Sequence, residues 1–184
     1  MAEIVFLEDS DSRKVLAGSS CAFGVFDGVH RGHRFLMGEA RQFAMENGGA
    51  CVVLTFDVDP DELFHPDRLH KLLSNRERLA ALAEAGADVV AVLRFDCEFA
   101  ALEPVEFLHE TFHGNLPACI HVGRDIRFGR KASGDLATLE AWGRANGVKV
   151  AGHDLLEQDG SPITATRIRL LIEAGEEEAA RQLL

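Results

Sequence analysis

"CAFGVFDGVHRGHRFLM", residues Cys21–Met37, is the point where an uncharged apolar run breaks into glycines and histidines. Ser20–Phe26 reads as a strand buried on both faces. Gly24, Gly28 and Gly32 then let the backbone turn and approach a ligand closely. A helical pattern sets in at about Arg31 and runs to Asn47, where Asn47-Gly48-Gly49 stops it. A strand, a glycine turn and a helix N-terminus in that order form an anion site out of backbone N–H groups and the helix dipole. The spacing differs from the Gly-x-Gly-x-x-Gly of a dinucleotide fingerprint, and the Gly-Lys-Ser/Thr of a P-loop is missing. Instead, His30 and His33 stand one helical turn apart and can point at the same phosphate. Imidazole N–H donors suit the charge that develops on a phosphate in transfer.

Outward from that turn, strand-like and helix-like segments alternate. "ACVVLTF", "ADVVAVLRF", "PACIHVG" and "VKVAGHDLL" are the further strands. Between and after them lie helices with their own start and stop signals. Ser74 and Glu77 have capping-box spacing, Pro104 suits a first turn that Gly114 later closes, and Asp135 caps "LATLEAWGRAN". "TATRIRLLIEAG" and "EEEAARQLL" finish the chain as two short helices. This alternation predicts an α/β fold, a doubly wound parallel sheet of about five strands, in a single domain over residues 1–184. In such sheets ligands bind outside the carboxyl ends of the strands. "FDGVHRGH", "FDVDP", "GRDIRFGRKASG" and "DGSPITATRIR" all follow strands, so they are expected to converge on one shared site.

A net charge of −11 argues against broad binding to nucleic acid or to an anionic membrane surface. Against that background the four cations between Arg124 and Lys131 favour a local anionic ligand. Cys21, Cys51, Cys97 and Cys119 are scattered, with no Cys-x-x-Cys pair, and read as reduced thiols of a cytoplasmic protein. The acidic start "MAEIVFLEDSDSRK" has only four consecutive apolar residues, unlike a secretion signal, and no run reaches membrane-spanning length.

"GVFDGVHRGH" resembles the Gly-x-Phe-Asp-Gly-x-His-x-Gly-His signature of the nucleotidylyltransferase superfamily. With "VLTFDVDP", "ADVVAVLRFDCEFAALEPVEFL", "HVGRDIRFGRKASGD" and "ITATRIR" in the same order, nearly the whole chain is similar to the FMN adenylyltransferase (FAD synthetase) module of bacterial bifunctional riboflavin kinase/FAD synthetases. "VGRDIRFG…GD" is what narrows the likeness to the flavin branch. The resemblance implies a Rossmann-like fold and a transferase of FAD biosynthesis that turns ATP and FMN into FAD and pyrophosphate with Mg²⁺. That ion would be held through the ATP phosphates. By position, His30, His33 and Arg169 would be the catalytic residues. Gly24, Phe26, Asp27, Gly28, Gly32, Thr164 and Thr166 would join the two histidines in binding ATP. Asp57, Asp125, Arg127, Phe128 and Arg130, with Lys131 nearby, would face FMN. The family's riboflavin kinase domain is not expected within these 184 residues, so a riboflavin kinase domain or protein is the implied partner.

Two positions depart from the family pattern. Where the family usually reads Phe-Asp-Pro-His-Pro, this chain has Asp59 in place of the histidine, and an acid there would repel phosphate. Ala165 replaces one serine of the closing Ser-Ser-Thr-x-Ile-Arg motif and removes a hydroxyl donor of about 1 kcal/mol. They leave two alternatives beside FMN adenylyl transfer: a weakened or non-catalytic flavin or nucleotide binder, and a related enzyme with another phosphate acceptor. "HETFH", His109 to His113, has zincin spacing but lies on an ordinary amphipathic helix away from the glycine loops. His121 reads as a strand residue, His65 and His70 as solvated histidines flanking Arg68, and Trp142 as packing.

Overall fold

Runs such as Cys51–Phe56 carry no charge on either face, which requires a sheet covered by helices on both sides. The computed structural model, which describes residues 2–65 and 70–184, builds that arrangement. Six strands are parallel: β1 Glu3–Phe6, β2 Ser20–Phe23, β3 Cys51–Phe56, β4 Val89–Leu93, β5 Cys119–Gly123 and β6 Lys149–His153. Their order is β1-β4-β3-β2-β5-β6. The chain thus winds outward from β2 through β3 to β4, then crosses back to lay β5 and β6 on the other side of β2. The gap between β2 and β5 is the topological switch point.

The alternation along each strand sorts side chains into two cores. Cys21, Phe23, Val52, Leu54, Phe56, Ala91 and Leu93 face α5 (Pro104–Phe112) and α6 (Leu136–Asn146). Ala22, Val53, Val90 and Val92 face α1 (Arg31–Asn47) and α3 (Asn75–Glu84). Between these long helices lie the short α2 (Pro60–Phe64) and α4 (Cys97–Ala100). After β6 come a hairpin of β7 (Glu157–Gln158) and β8 (Ser161–Pro162), then α7 (Ala165–Glu173) and α8 (Glu177–Leu183). A small third cluster, Ile163, Ile168, Ala180 and Leu183, seats α7 and α8.

The local signals match the observed boundaries closely. Helix α1 begins at Arg31 and ends at Asn47, with Gly48 in the left-handed region. Ser74 and Glu77 form the capping box of α3, and Asp135 accepts a bond from the Thr138 backbone N–H at the start of α6. The sheet has six strands where about five were expected. The additional strand, β1, is four residues long, mostly exposed and paired only with β4, so neither length nor burial marks it in the sequence. Pro60 opens α2 directly after "FDVD". Trp142 is buried and stacks on Phe112 at 5.3 Å. His65 and His70 are exposed, and Arg68 lies outside the described residues. Cys21, Cys51 and Cys119 are buried free thiols, whereas Cys97 is exposed. Burial pushes Cys51 and Cys119 up to about 11, which keeps them protonated. Among the described residues no helix is long and apolar enough to cross a membrane.

Candidate active site

The segment between β2 and α1 folds as a tight turn. Phe26 and Val29 both have positive φ, 61° and 42°, which for side-chain-bearing residues costs on the order of 1–3 kcal/mol each. Packing offsets that strain: the Phe26 ring is 2% exposed and Val29 1%. Gly28 takes φ 75° without strain, and a Cβ there would stand 2.6 Å from the Leu72 side chain, which would have to shift. Asp27 is 6% exposed, and its Oδ2 accepts from Arg169 Nη2 at 2.5 Å and from the Leu72 N–H at 3.4 Å. Arg169 also donates Nε to the His70 carbonyl at 2.7 Å, so α7 is fastened over the turn. Thr164 caps α7 by accepting from the Arg167 N–H.

His30 is the N-cap of α1, and its Nδ1 accepts from the His33 N–H at 3.4 Å. That bond assigns the proton of neutral His30 to Nε2. The two imidazoles stack with centroids 3.5 Å apart, and the Phe26 ring meets His33 edge-on. Burial lowers His30 to about 4, partly countered by Asp27, and holds His33 well below the usual imidazole range. Both are therefore neutral near pH 7, each with one N–H to donate. His33 Nδ1 is buried and without a hydrogen-bond partner. An orphaned polar atom of that kind fits a site waiting for a ligand.

This turn forms one wall of a cleft of about 1000 Å³ outside the carboxyl ends of the strands. The four segments expected to converge do so. Gly24, Phe26, Asp27, His30, Gly32, His33, Thr164, Ala165 and Arg169 line it, and so do Asp125, Arg127, Phe128, Arg130 and Lys131. Gly28, Asp57 and Thr166 lie outside the lining. Asp57 accepts at Oδ1 from the Val58 and Phe95 N–H groups and so ties two loops together. Thr166 is solvent-exposed on the first turn of α7. In the basic loop, Arg130 pairs with Glu103 and Arg124 with Asp154.

Asp59 lines the cleft, but its carboxylate is also engaged in a cap. It accepts from the Asp61 N–H at 2.9 Å and forms a capping box with Glu62 at the start of α2. Burial raises its pKa above the usual carboxylate value, partly countered by the hydrogen bond from the Asp61 N–H. The sequence reading did not find an aromatic wall of Phe56, Phe95 and Phe107, which meets Phe128 at 5.6 Å between the Phe107 and Phe128 ring centroids. Twelve phenylalanines against no tyrosine was the available signal. His153 is a further lining residue, and its Nε2 lies 3.0 Å from His121 Nδ1. Of the zincin-like pair, His113 ends α5 in the left-handed region and His109 packs edge-on to Trp142. Among the described residues no three metal-ligating side chains gather around one point.

A parallel sheet wound around a switch point, with stacked histidines at the first helix N-terminus, defines a Rossmann-like domain of nucleotidylyltransferase type. The FAD synthetase family matches residues 12–167, and this chain belongs to that family. It is 35% identical over 97% of its length to a provisionally named bifunctional riboflavin kinase/FMN adenylyltransferase of Geobacillus thermodenitrificans, 96% of which it covers. It is 34% identical over 83% of its length to the bifunctional riboflavin kinase/FMN adenylyltransferase of Escherichia coli K12, yet covers only 49% of that protein. Among solved structures, a Streptococcus pneumoniae protein titled a macrolide-efflux protein superposes with TM-score 0.82 at 26% identity, over all of this chain and 70% of the other. Pantothenate synthetase of Thermus thermophilus shares the fold, at TM-score 0.55 and 18% identity over 95% of this chain and 77% of that one.

Proposed function

We propose that this chain transfers the adenylyl group of ATP to FMN, giving FAD and pyrophosphate. The observation that carries the reading is one cleft lined both by the stacked pair His30/His33 at a helix N-terminus and by the Phe56/Phe95/Phe107/Phe128 cluster. The first suits a triphosphate and the second a flat isoalloxazine ring.

In the reaction an FMN phosphate oxygen attacks the α-phosphorus in line. The new P–O bond forms as the bond to the β-phosphate bridging oxygen breaks, and pyrophosphate leaves with that electron pair. His30 and His33, neutral before substrate arrives, donate N–H bonds to the phosphate oxygens as charge grows on them. Arg169, held by Asp27, and Thr164 at the start of α7 bind the triphosphate from the opposite side. Asp125, Arg127, Arg130 and Lys131 orient FMN. Catalysis is positioning and charge stabilisation, with no covalent enzyme intermediate.

Mg²⁺ fits as a companion of the nucleotide. The cleft is lined by the carboxylates Asp27, Asp59, Asp61, Asp125 and Asp154, and among the described residues no three potential ligands gather at one point, which suits an ion already carried by phosphates. When bound, it neutralises triphosphate charge. A cytoplasmic location, and a riboflavin kinase domain or protein as the source of FMN, complete the proposal.

The test is incubation with FMN, ATP and Mg²⁺, followed by chromatography for FAD, beside a His30→Ala/His33→Ala variant. FAD from the parent and its loss in the variant support the assignment. FMN binding without FAD would replace the enzyme by a binder, and neither binding nor product would overturn the flavin reading.

A further inference from the structure

Arg78 is a full positive charge inside the protein, on the apolar stripe of α3 one turn before Leu82, and only 1% exposed. A guanidinium there keeps its charge and must find acceptors. Its acceptors are all at the carboxyl ends of two neighbouring strands. Nη1 donates to the Val25 carbonyl at 2.8 Å and to Thr55 Oγ1 at 2.7 Å, and Nη2 donates to the Phe56 carbonyl at 2.7 Å. Thr55 Oγ1 in turn donates to the same Val25 carbonyl at 3.1 Å. Among the described residues no carboxylate forms an ion pair with Arg78; Asp59, Asp27, Glu62 and Asp57 act on it from farther away.

Val25 is the last residue before the strained turn that carries Asp27, His30 and His33. Phe56 is the last residue before the segment Asp57–Asp59, which reaches Phe95 on one side and the cleft on the other. We infer that Arg78 is a positioning residue for adenylyl transfer, clamping the triphosphate turn and the Asp57–Asp59 segment at a set separation beneath the cleft. Arg78 touches no substrate: Val25, Phe56 and Asp59 line the cleft, and Arg78 lies behind them. The planar fork explains why an arginine holds this place, since one guanidinium reaches two divergent carbonyls and a hydroxyl at once. Lysine offers donors from a single point and cannot span all three.

This inference rests on the adenylyl-transfer reading for its kinetic part alone. The experiment compares Arg78→Met, Arg78→Lys and Thr55→Val with the parent at a temperature where circular dichroism shows each folded. It reads kcat, KM for ATP and for FMN separately, and amide exchange at Phe26–His30 and Asp57–Asp59. Arg78→Met is expected to lose tenfold or more in kcat, to raise both KM values, and to speed exchange in both segments while β4 and β5 stay protected. Arg78→Lys is expected to recover ATP binding but only part of kcat, and Thr55→Val to lose severalfold. Kinetics and exchange within twofold of the parent in Arg78→Met would overturn the inference, leaving Arg78 a residue of stability alone. If Arg78→Met does not fold, parent-like behaviour of Arg78→Lys overturns it in the same way. If the parent makes no FAD, the adenylyl-transfer reading has failed, and exchange still decides whether Arg78 holds the two segments.

Discussion

The Asp27 carboxylate and the Arg169 guanidinium meet at 2.5 Å across 142 residues of chain. Asp27 is 7% exposed at its side chain and Arg169 20%, so the pair is shielded from bulk water. It joins the turn between β2 and α1 to α7, the last helix but one, and with the Arg169–His70 bond it sets where α7 sits over the cleft. Removing either partner strands the other, the costly case for a shielded charge.

Arg169→Ala is therefore expected to cut kcat/KM for ATP by about a hundredfold, with the larger part in kcat. Asp27→Asn keeps a weaker acceptor for the guanidinium and is expected to lose about tenfold. Steady-state kinetics of both variants and of the double variant check this. Additive losses would mean that the pair does not act as a unit.

Stability should fall on mild acidification. His30 and His121 are lowered to about 4 and His33 is well below 6.5, all chiefly by burial. Between pH 6.5 and about 4 the unfolded chain therefore binds more protons than the folded one, so stability is complete above 6.5 and is lost progressively below it. Each unit of displacement is worth about 1.4 kcal/mol. Asp59, raised by burial, acts in the opposite direction and offsets part of the loss. Urea midpoints between pH 7.5 and 4.5, followed through the single buried tryptophan Trp142, give the slope. In His121→Gln that slope is expected to flatten.

Asp59 can be separated into a cap and a charge. Asp59→Asn keeps an N-cap acceptor for α2 but removes the negative charge from the cleft, and is expected to lower KM for ATP severalfold at unchanged melting temperature. Asp59→Ala loses the cap as well and is expected to cost about 1 kcal/mol of stability. Thermal melts beside ATP titrations distinguish the two effects.

The aromatic wall, proposed as the flavin side, has its own probe. A Cβ at Gly134 would lie 2.7 Å from the Phe128 ring, and the two residues are bridged by backbone bonds of 3.1 and 2.9 Å. Gly134→Ala is expected to push Phe128 out of place, raising KM for FMN about tenfold while KM for ATP stays within twofold. Equal effects on both substrates would show that Phe128 does not serve the flavin side.

Much of this was legible in the chain because the signals are local. The Ser20–Asn47 stretch contains its own strand, positive-φ turn, cap and stop, and each depends on residues within a few positions of one another. The Ser74, Asp135 and Thr164 caps are of the same kind, as is the two-faced burial of Cys51–Phe56. From these the parallel sheet and the convergence of four loops at one edge follow.

Other features depended on the tertiary structure. Glu3–Phe6 becomes a strand only because β4 leaves an open edge beside it. Asp59, a repelling acid when read in sequence, becomes a buried cap once Pro60 starts a helix. Phe56, Phe95, Phe107 and Phe128 come from four separate elements or loops, and Arg78 lies more than twenty residues from each acceptor it clamps. Short-range preferences are written into neighbouring residues, so the sequence by itself determined strands β2 to β6, the longer helices with their caps, and the glycine turn before α1. Which distant side chains meet depends on strand order and helix packing, and that decided the Asp27–Arg169 pair, the aromatic wall and the Arg78 clamp.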